Sequence, residues 1–231
     1  MRFEGPLIPA TLQARLNRFL GVVQIHGGKT QCFIPNPGRM AELLYPGAKV
    51  YLIEKKSESR KTSYDLVAVD LDGTLVSVDS RVPNKVVAEA VEADLISEFR
   101  GLHIEKREYT FGDSRLDFLL RGSSGQLLLE VKGCTLVRDG TGLFPDAPTI
   151  RGSRHLRNLV DGLASGRASA FFLIQRPDAV ALRPNDATDP EFGRNLREAA
   201  GRGVEIYAFN SEVTLEGVFL NERVPVLLTP R

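Results

Sequence analysis

The chain has 231 residues, 42% of them hydrophobic and 26% charged, with a formal net charge of +1. That length suits two ordinary domains, and the charge balance argues against a partner held by bulk electrostatics alone. No apolar run approaches the roughly 18 residues that a membrane span needs, and the start, Met1-Arg2-Phe3-Glu4-Gly5-Pro6, lacks the apolar stretch of a secretion signal. Two distant cysteines, Cys32 and Cys134, and three scattered histidines, His26, His103 and His155, argue against disulfides and zinc. Reduced thiols in the cytoplasm and no membrane partner are the expectation.

The first 80 residues predict short strands. An extended start at residues 7–12 precedes a hairpin, Gly21–Ile25 and Thr30–Ile34, around the turn His26-Gly27-Gly28-Lys29. Residues 35–40, with two prolines and a glycine, cannot be regular structure, and a helical turn follows at residues 40–44. Strands are expected at 48–53, 64–71 and 75–78, with a charged hairpin tip over residues 55–61. Strand count and spacing suggest a small OB-like β-barrel over residues 1–82. Phe33, Tyr45, Tyr51 and Tyr64 form no tight cluster in this region, and no aromatic stacking platform is obvious in sequence.

From Pro83 the pattern changes. Residues 84–99 predict a helix capped by Asn84, with Val87, Val91 and Leu95 at helical spacing. Strands follow at 105–111, 114–121 and 126–137, then an irregular loop at 139–149. A helix at 152–164, a continuous apolar strand at 168–175, a helix at 190–201 and a strand at 204–209 complete the order. The expected architecture for residues 83–231 is a three-layer α/β domain with a mixed sheet. Residues 1–82 hold 11 Lys/Arg against 8 Asp/Glu, and the rest hold 19 against 21. A slightly basic front half and acidic back half are compatible with a metal-dependent nuclease and with many other proteins.

Residues 114–132 carry the sharpest chemical signal. Ser114–Arg121 and Gln126–Lys132 flank the turn Gly122-Ser123-Ser124-Gly125. Folding the hairpin about Ser123 and Ser124 sets Asp117 opposite Glu130 and Arg115 opposite Lys132. One face then shows Leu116, Phe118, Leu120, Leu127, Leu129 and Val131, and the other shows the four charges with Leu119 and Leu128. Two carboxylates facing across a ladder repel each other, and a divalent cation such as Mg²⁺ or Mn²⁺ would reverse that sign. Lys132 beside them can orient water or neutralise a phosphate, so the patch has the chemistry of metal-assisted phosphodiester hydrolysis. An antiparallel hairpin with one wet face gives the same alternation without any chemistry.

The order helix, Asp, Glu-x-Lys, helix, strand resembles the core of the PD-(D/E)xK nuclease superfamily. Blocks at residues 7–10, 35–40, 114–118, 130–132, 143–147, 151–156 and 175–178 are similar to the sugar fermentation stimulation protein family. That resemblance implies an OB-like domain, a nuclease-like domain, DNA binding and a regulatory connection with maltose use. Under it, Asp117, Glu130 and Lys132 are the catalytic set, Asp117 and Glu130 are metal ligands, and Glu89 matches a third ligand, with Glu108 in reserve. Arg115 at the hairpin, Arg151, Arg154 and His155 at the start of a helix, and Arg39 on the Pro/Gly loop are candidate DNA contacts. Gln175 either lines the site or satisfies nearby backbone. Two departures are Pro37 and Arg39, where Thr and Ser are usual, and Gly133, where Asn is expected. The alternatives are thus a nonspecific DNA-binding phosphodiesterase and a DNA-binding regulator whose site is idle.

Overall fold

The computed structural model describes residues 1–55, 60–123 and 125–229. Residues 56–59 of the expected charged tip and Ser124 of the central turn lie outside the described residues. No described helix is long and apolar enough to cross a membrane.

The front half is an OB barrel. Its strands are β1 (Ile8–Arg15), β2 (Leu20–Ile25), β3 (Gly28–Phe33), β4 (Lys49–Glu54) and β5 (Tyr64–Leu71), with β6 (Thr74–Ser77) added beyond β5. They run in the order β3-β2-β1-β4-β5, and a Phe33–Asp65 pairing between β3 and β5 closes the ring. Leu12, Val23, Ile34, Leu52 and Leu66 alternate inward and are buried at its centre. The helical turn expected after the Pro/Gly loop is present, since Leu44 N donates to Met40 O at 2.8 Å.

The back half is a six-stranded mixed sheet between helices. Its strands are β7 (Leu102–Phe111), β8 (Ser114–Gly122), β9 (Gly125–Cys134), β12 (Arg167–Ile174), β14 (Glu205–Val213) and β15 (Val218–Val224), in the order β15-β14-β12-β9-β8-β7. β9, β12 and β14 are parallel, which explains the unbroken apolar run of β12, buried on both faces. Helix α1 (Val82–Glu92) covers one face. Helices α2 (Ile150–Gly162) and α3 (Pro190–Gly201) cover the other.

Several expectations need correction. Helix α1 ends at Glu92, because Asp94 adopts a left-handed φ of +53° and turns the chain. Leu95, expected inward, is therefore exposed. Val82 and Pro83 open α1, and Asn84 falls in its first turn instead of capping it. The strand expected through Val137 stops at Cys134. Val137–Arg138 (β10) pairs instead with Thr141–Phe144 (β11), inside the loop expected to be irregular, and Ala181–Pro184 (β13) completes a second small sheet. Strand β14 continues past Phe209 because polar Asn210 and Ser211 are buried with partners, Ser211 Oγ donating to Ile174 O at 2.8 Å. Strand β15, with three exposed polar residues in its second half, has no strand signature in sequence.

The two halves are strapped together. Gln175 is buried, and its Nε2 donates to Ser77 O at 3.0 Å and Asp79 O at 3.2 Å. Its role is therefore backbone satisfaction between the halves. The N-terminal segment crosses the other way: Phe3 N donates to Glu216 O at 2.9 Å, and Met1 and Phe3 pack against the core under α1. Gln175→Leu keeps the volume and removes the donor, leaving buried carbonyls unpaired. The expected cost is about 2 kcal/mol in urea denaturation; an unchanged midpoint would contradict the strap.

Candidate functional site

The β8–β9 hairpin has the expected register, with Phe118 opposite Leu129 and Leu120 opposite Leu127. The ladder ends at Phe118–Leu129, one pair short of Asp117 and Glu130. There the Asp117 side chain takes over: Val131 N donates to Oδ2 at 2.8 Å, and Asn84 Nδ2 of α1 donates to Oδ1 at 2.6 Å. On the other side, the β7–β8 register also skips this level, where Glu108 adopts a φ of +53°. The irregularity breaks the alternation. Leu116 packs with the α2–α3 core, while Phe118 packs under α1, so the single apolar face expected for both is corrected.

Glu130 and Lys132 lie toward α2. Lys132 Nζ donates to Glu130 Oε1 at 2.5 Å, and His155 Nδ1 hydrogen-bonds the same oxygen. Arg151 Nε donates to His155 Nε2 at 3.2 Å. That bond makes Nε2 the acceptor, so the proton sits on Nδ1 and is donated to Glu130. His155 is 2% exposed. It is thus a buried positioner of Glu130, not the DNA contact expected from sequence. Glu130 Oε2 is buried and has no hydrogen-bond partner.

The two carboxylates titrate apart. Burial, and then the charge of Glu130, push Asp117 up from 3.8 to about 6. Burial acts on Glu130 in the same direction, but Lys132 and His155 outweigh it and hold Glu130 below the ordinary range. The pair therefore fits a cation in two respects: one carboxylate is raised by burial and then by its neighbour's charge, and one buried oxygen lacks a partner. Among the described residues no three His, Cys, Asp or Glu side chains converge as a ligand set. Two carboxylates completed by water or phosphate oxygens are the arrangement that Mg²⁺ commonly takes.

The remaining candidates are dispersed. Glu89 is not brought to Asp117; its Oε2 lies 2.7 Å from the N-terminal ammonium, so a third-ligand role has no geometric support. Glu108 instead pairs with Arg115 at 2.6 Å; Arg115 lies across from Thr110 on β7, and the β8–β9 ladder stops before reaching the expected Arg115–Lys132 level. Arg151 is exposed at the start of α2, whose N-cap is Thr149. Arg154 is half-buried there, its Nε without a partner. Arg39 is exposed, and its backbone N donates to Asp146 Oδ2 at 2.9 Å, docking the barrel loop beside α2. Gly133 has a steric reason: a Cβ there would come within 2.6 Å of Gln175 Oε1 and 2.8 Å of Pro83. Sequence reasoning missed Asn84, whose position offered only a capping signal. Both cysteines are buried, with thiols pushed up to about 12 by burial.

Comparison with known proteins matches this arrangement over nearly the full chain. A family model described as the SfsA N-terminal OB domain matches residues 14–78, and one described as the sugar fermentation stimulation protein RE domain matches residues 81–217. A sugar fermentation stimulation protein homolog of Moorella thermoacetica is 49% identical over 210 residues, covering 90% of each chain. One from Thermoanaerobacter sp. is 44% identical over 230 residues, covering 99% of this chain and all of the other. The structure of Pyrococcus furiosus SfsA in complex with Ca²⁺ superposes with a TM-score of 0.92 at 32% identity, covering 98% of each chain.

The raised Asp117 carboxyl has a stability consequence. A carboxyl raised by folding contributes stability below its ordinary value and loses it as pH rises through about 6. In chelator, the stability of Asp117→Asn relative to the parent should improve by about 2 kcal/mol between pH 4 and pH 8, on top of a pH-independent cost for the acceptor oxygen that asparagine lacks. Urea denaturation across that range measures it; a gap independent of pH would mean that charge is not the cause.

Proposed function

The chain belongs to the sugar fermentation stimulation protein family, and we propose that it binds DNA without sequence preference and cleaves phosphodiester bonds at Asp117, Glu130 and Lys132. The observation that carries this reading is the carboxylate pair, Glu130 buried and Asp117 half-buried, with an unpartnered Glu130 Oε2 beside a lysine. Asp117 and Glu130 would hold a divalent cation, Mg²⁺ or Mn²⁺; the related Pyrococcus furiosus protein, described in complex with Ca²⁺, supports a hard cation with oxygen ligands. When bound, the cation would supply Lewis acidity toward a phosphoryl oxygen and lower the pKa of a water.

The chain's own residues divide the remaining work. His155, braced by Arg151, fixes the Glu130 carboxylate so that Oε2 stays free. Lys132 sits 2.5 Å from Glu130 Oε1. An ammonium cannot ligate a metal, since it offers only donors, so its part is to steady an attacking water or the charge growing on phosphate. Arg151 and Arg154 at the α2 start, where backbone N–H groups point outward, would bind flanking phosphates. Arg39 on the docked barrel loop would extend that track. Phosphate contacts carry no sequence information, and affinity should fall steeply with salt.

Two experiments test the reading. Calorimetric titration with Mn²⁺ should show binding in the parent that Asp117→Asn or Glu130→Gln removes; unchanged binding in both would displace the site. Against random-sequence DNA with Mn²⁺, Lys132→Ala should lose about 100-fold or more in cleavage while retaining metal binding and most DNA affinity. The competing reading, a DNA-binding regulator with an idle site linked to sugar use, predicts no cleavage by the parent under any metal. Cleavage that persists in both Lys132→Ala and Asp117→Asn would belong to a contaminant.

A further inference from the structure

Two phenylalanines of the barrel sit outside its core. Phe19, at the end of the β1–β2 turn, is 45% exposed. Its ring is stacked on Phe33 of β3 with centroids 6.1 Å apart and planes within 20°. Neither ring belongs to the barrel's core cluster. The Arg60 guanidinium lies over the Phe33 ring, 5.8 Å from its centroid. Arg60 is held there by the buried carboxylate of Asp65 and by Thr62 O. Leu16 and Arg18 of the same turn are exposed. The sequence shows no tight aromatic cluster here, and the stack arises because the fold brings Phe19 of the turn against Phe33 of β3.

The pair is fixed in place by its backbone. Phe19 N donates to Asn17 Oδ1 at 2.8 Å, and Ile34 N donates to Phe19 O at 2.8 Å. Below the turn, Arg15 donates to Arg18 O at 2.9 Å and to Gly38 O at 2.8 Å, joining the β1–β2 turn to the Pro/Gly loop. That loop in turn docks on Asp146, four residues before α2. Hydrogen bonds therefore run from the turn that carries Phe19 through Arg15 and the Pro/Gly loop to Asp146, with Arg18 and Arg39 exposed on that path and Arg60 beside Phe33.

We infer that Phe19 and Phe33 form a stacking platform for unpaired bases, so that the DNA taken by the proposed site is single-stranded or locally opened. The inference rests on the DNA-binding reading above and specifies its substrate class. Every base offers a π-face, so stacking on a phenylalanine ring tolerates any sequence, while arginines beside it follow the phosphates. In duplex DNA the faces are occupied by neighbouring bases, and the platform has nothing to grip. OB barrels commonly bind strands on the surface formed by these strands and the loop after the first.

The chain contains no tryptophan, so Phe19→Trp places a unique fluorophore on the platform. The probes are oligothymidylate of about 20 nucleotides and a random-sequence duplex of matching length, bound with chelator present so that no cleavage intervenes. Phe19→Ala should weaken oligothymidylate binding about tenfold, leave duplex affinity and the salt slope unchanged, and fold as the parent because the ring lies outside the core. Phe19→Trp should restore affinity, with its fluorescence quenched by the single strand and not by the duplex. Equal affinity of Phe19→Ala and the parent for the single strand, or equal quenching by both probes, overturns the platform alone. A parent that binds neither probe overturns the DNA-binding reading, and the platform with it.

Discussion

At the level of Asp117, a side chain does the work of a backbone ladder. The β8–β9 pairing stops at Phe118–Leu129, and the Val131 amide that would otherwise lose its partner donates to the Asp117 carboxylate. A buried amide must be paired, so the carboxylate cannot turn away to water, and it is held beside Glu130 despite their repulsion. Burial, and then the charge of Glu130, raise Asp117 to about 6. The same kink sends Leu116 and Phe118 into different cores, so the two apolar layers keep the charged pair where it is.

Glu130 is stabilised from the opposite layer. Lys132 and His155 both approach Oε1, and Arg151 fixes the far side of the imidazole. The result is asymmetric: one oxygen is saturated and the other, Oε2, is bare. A buried carboxylate oxygen without a donor is costly in a folded protein and is what a cation would compensate. The barrel is tied into the same region at two places. Gln175 binds the linker carbonyls at Ser77 and Asp79, and Asp146 binds the Arg39 amide.

The hairpin register and α3 followed from sequence because local rules dominate there: a Gly-bounded turn and a single apolar stripe. Strand β5 was found with its full bounds for a similar reason, an apolar run between polar turns. The failures have one origin, the override of local pattern by tertiary contact. Strands β10, β11 and β13 are two to four residues long and are held by pairing with each other and, for β13, with the segment around Val226. Strand β15 is an edge with polar residues, shaped by β14. The face of Leu116 depended on a kink that alternation cannot signal. In the candidate site, spacing singled out Asp117, Glu130 and Lys132, and the structure sets Lys132 on Glu130. The burial of His155, the Asn84 bond and the Phe19–Phe33 stack arise from elements distant in sequence.

The central claim is that the Asp117–Glu130 pair is completed by a divalent cation. The most direct measurement is an anomalous difference map from a crystal soaked in Mn²⁺, recorded at the manganese edge. The account predicts a peak bound by a carboxylate oxygen of Asp117 and by Glu130 Oε2, with His155 still on Oε1. A fully occupied peak elsewhere on the chain, with these two carboxylates bare, would contradict it.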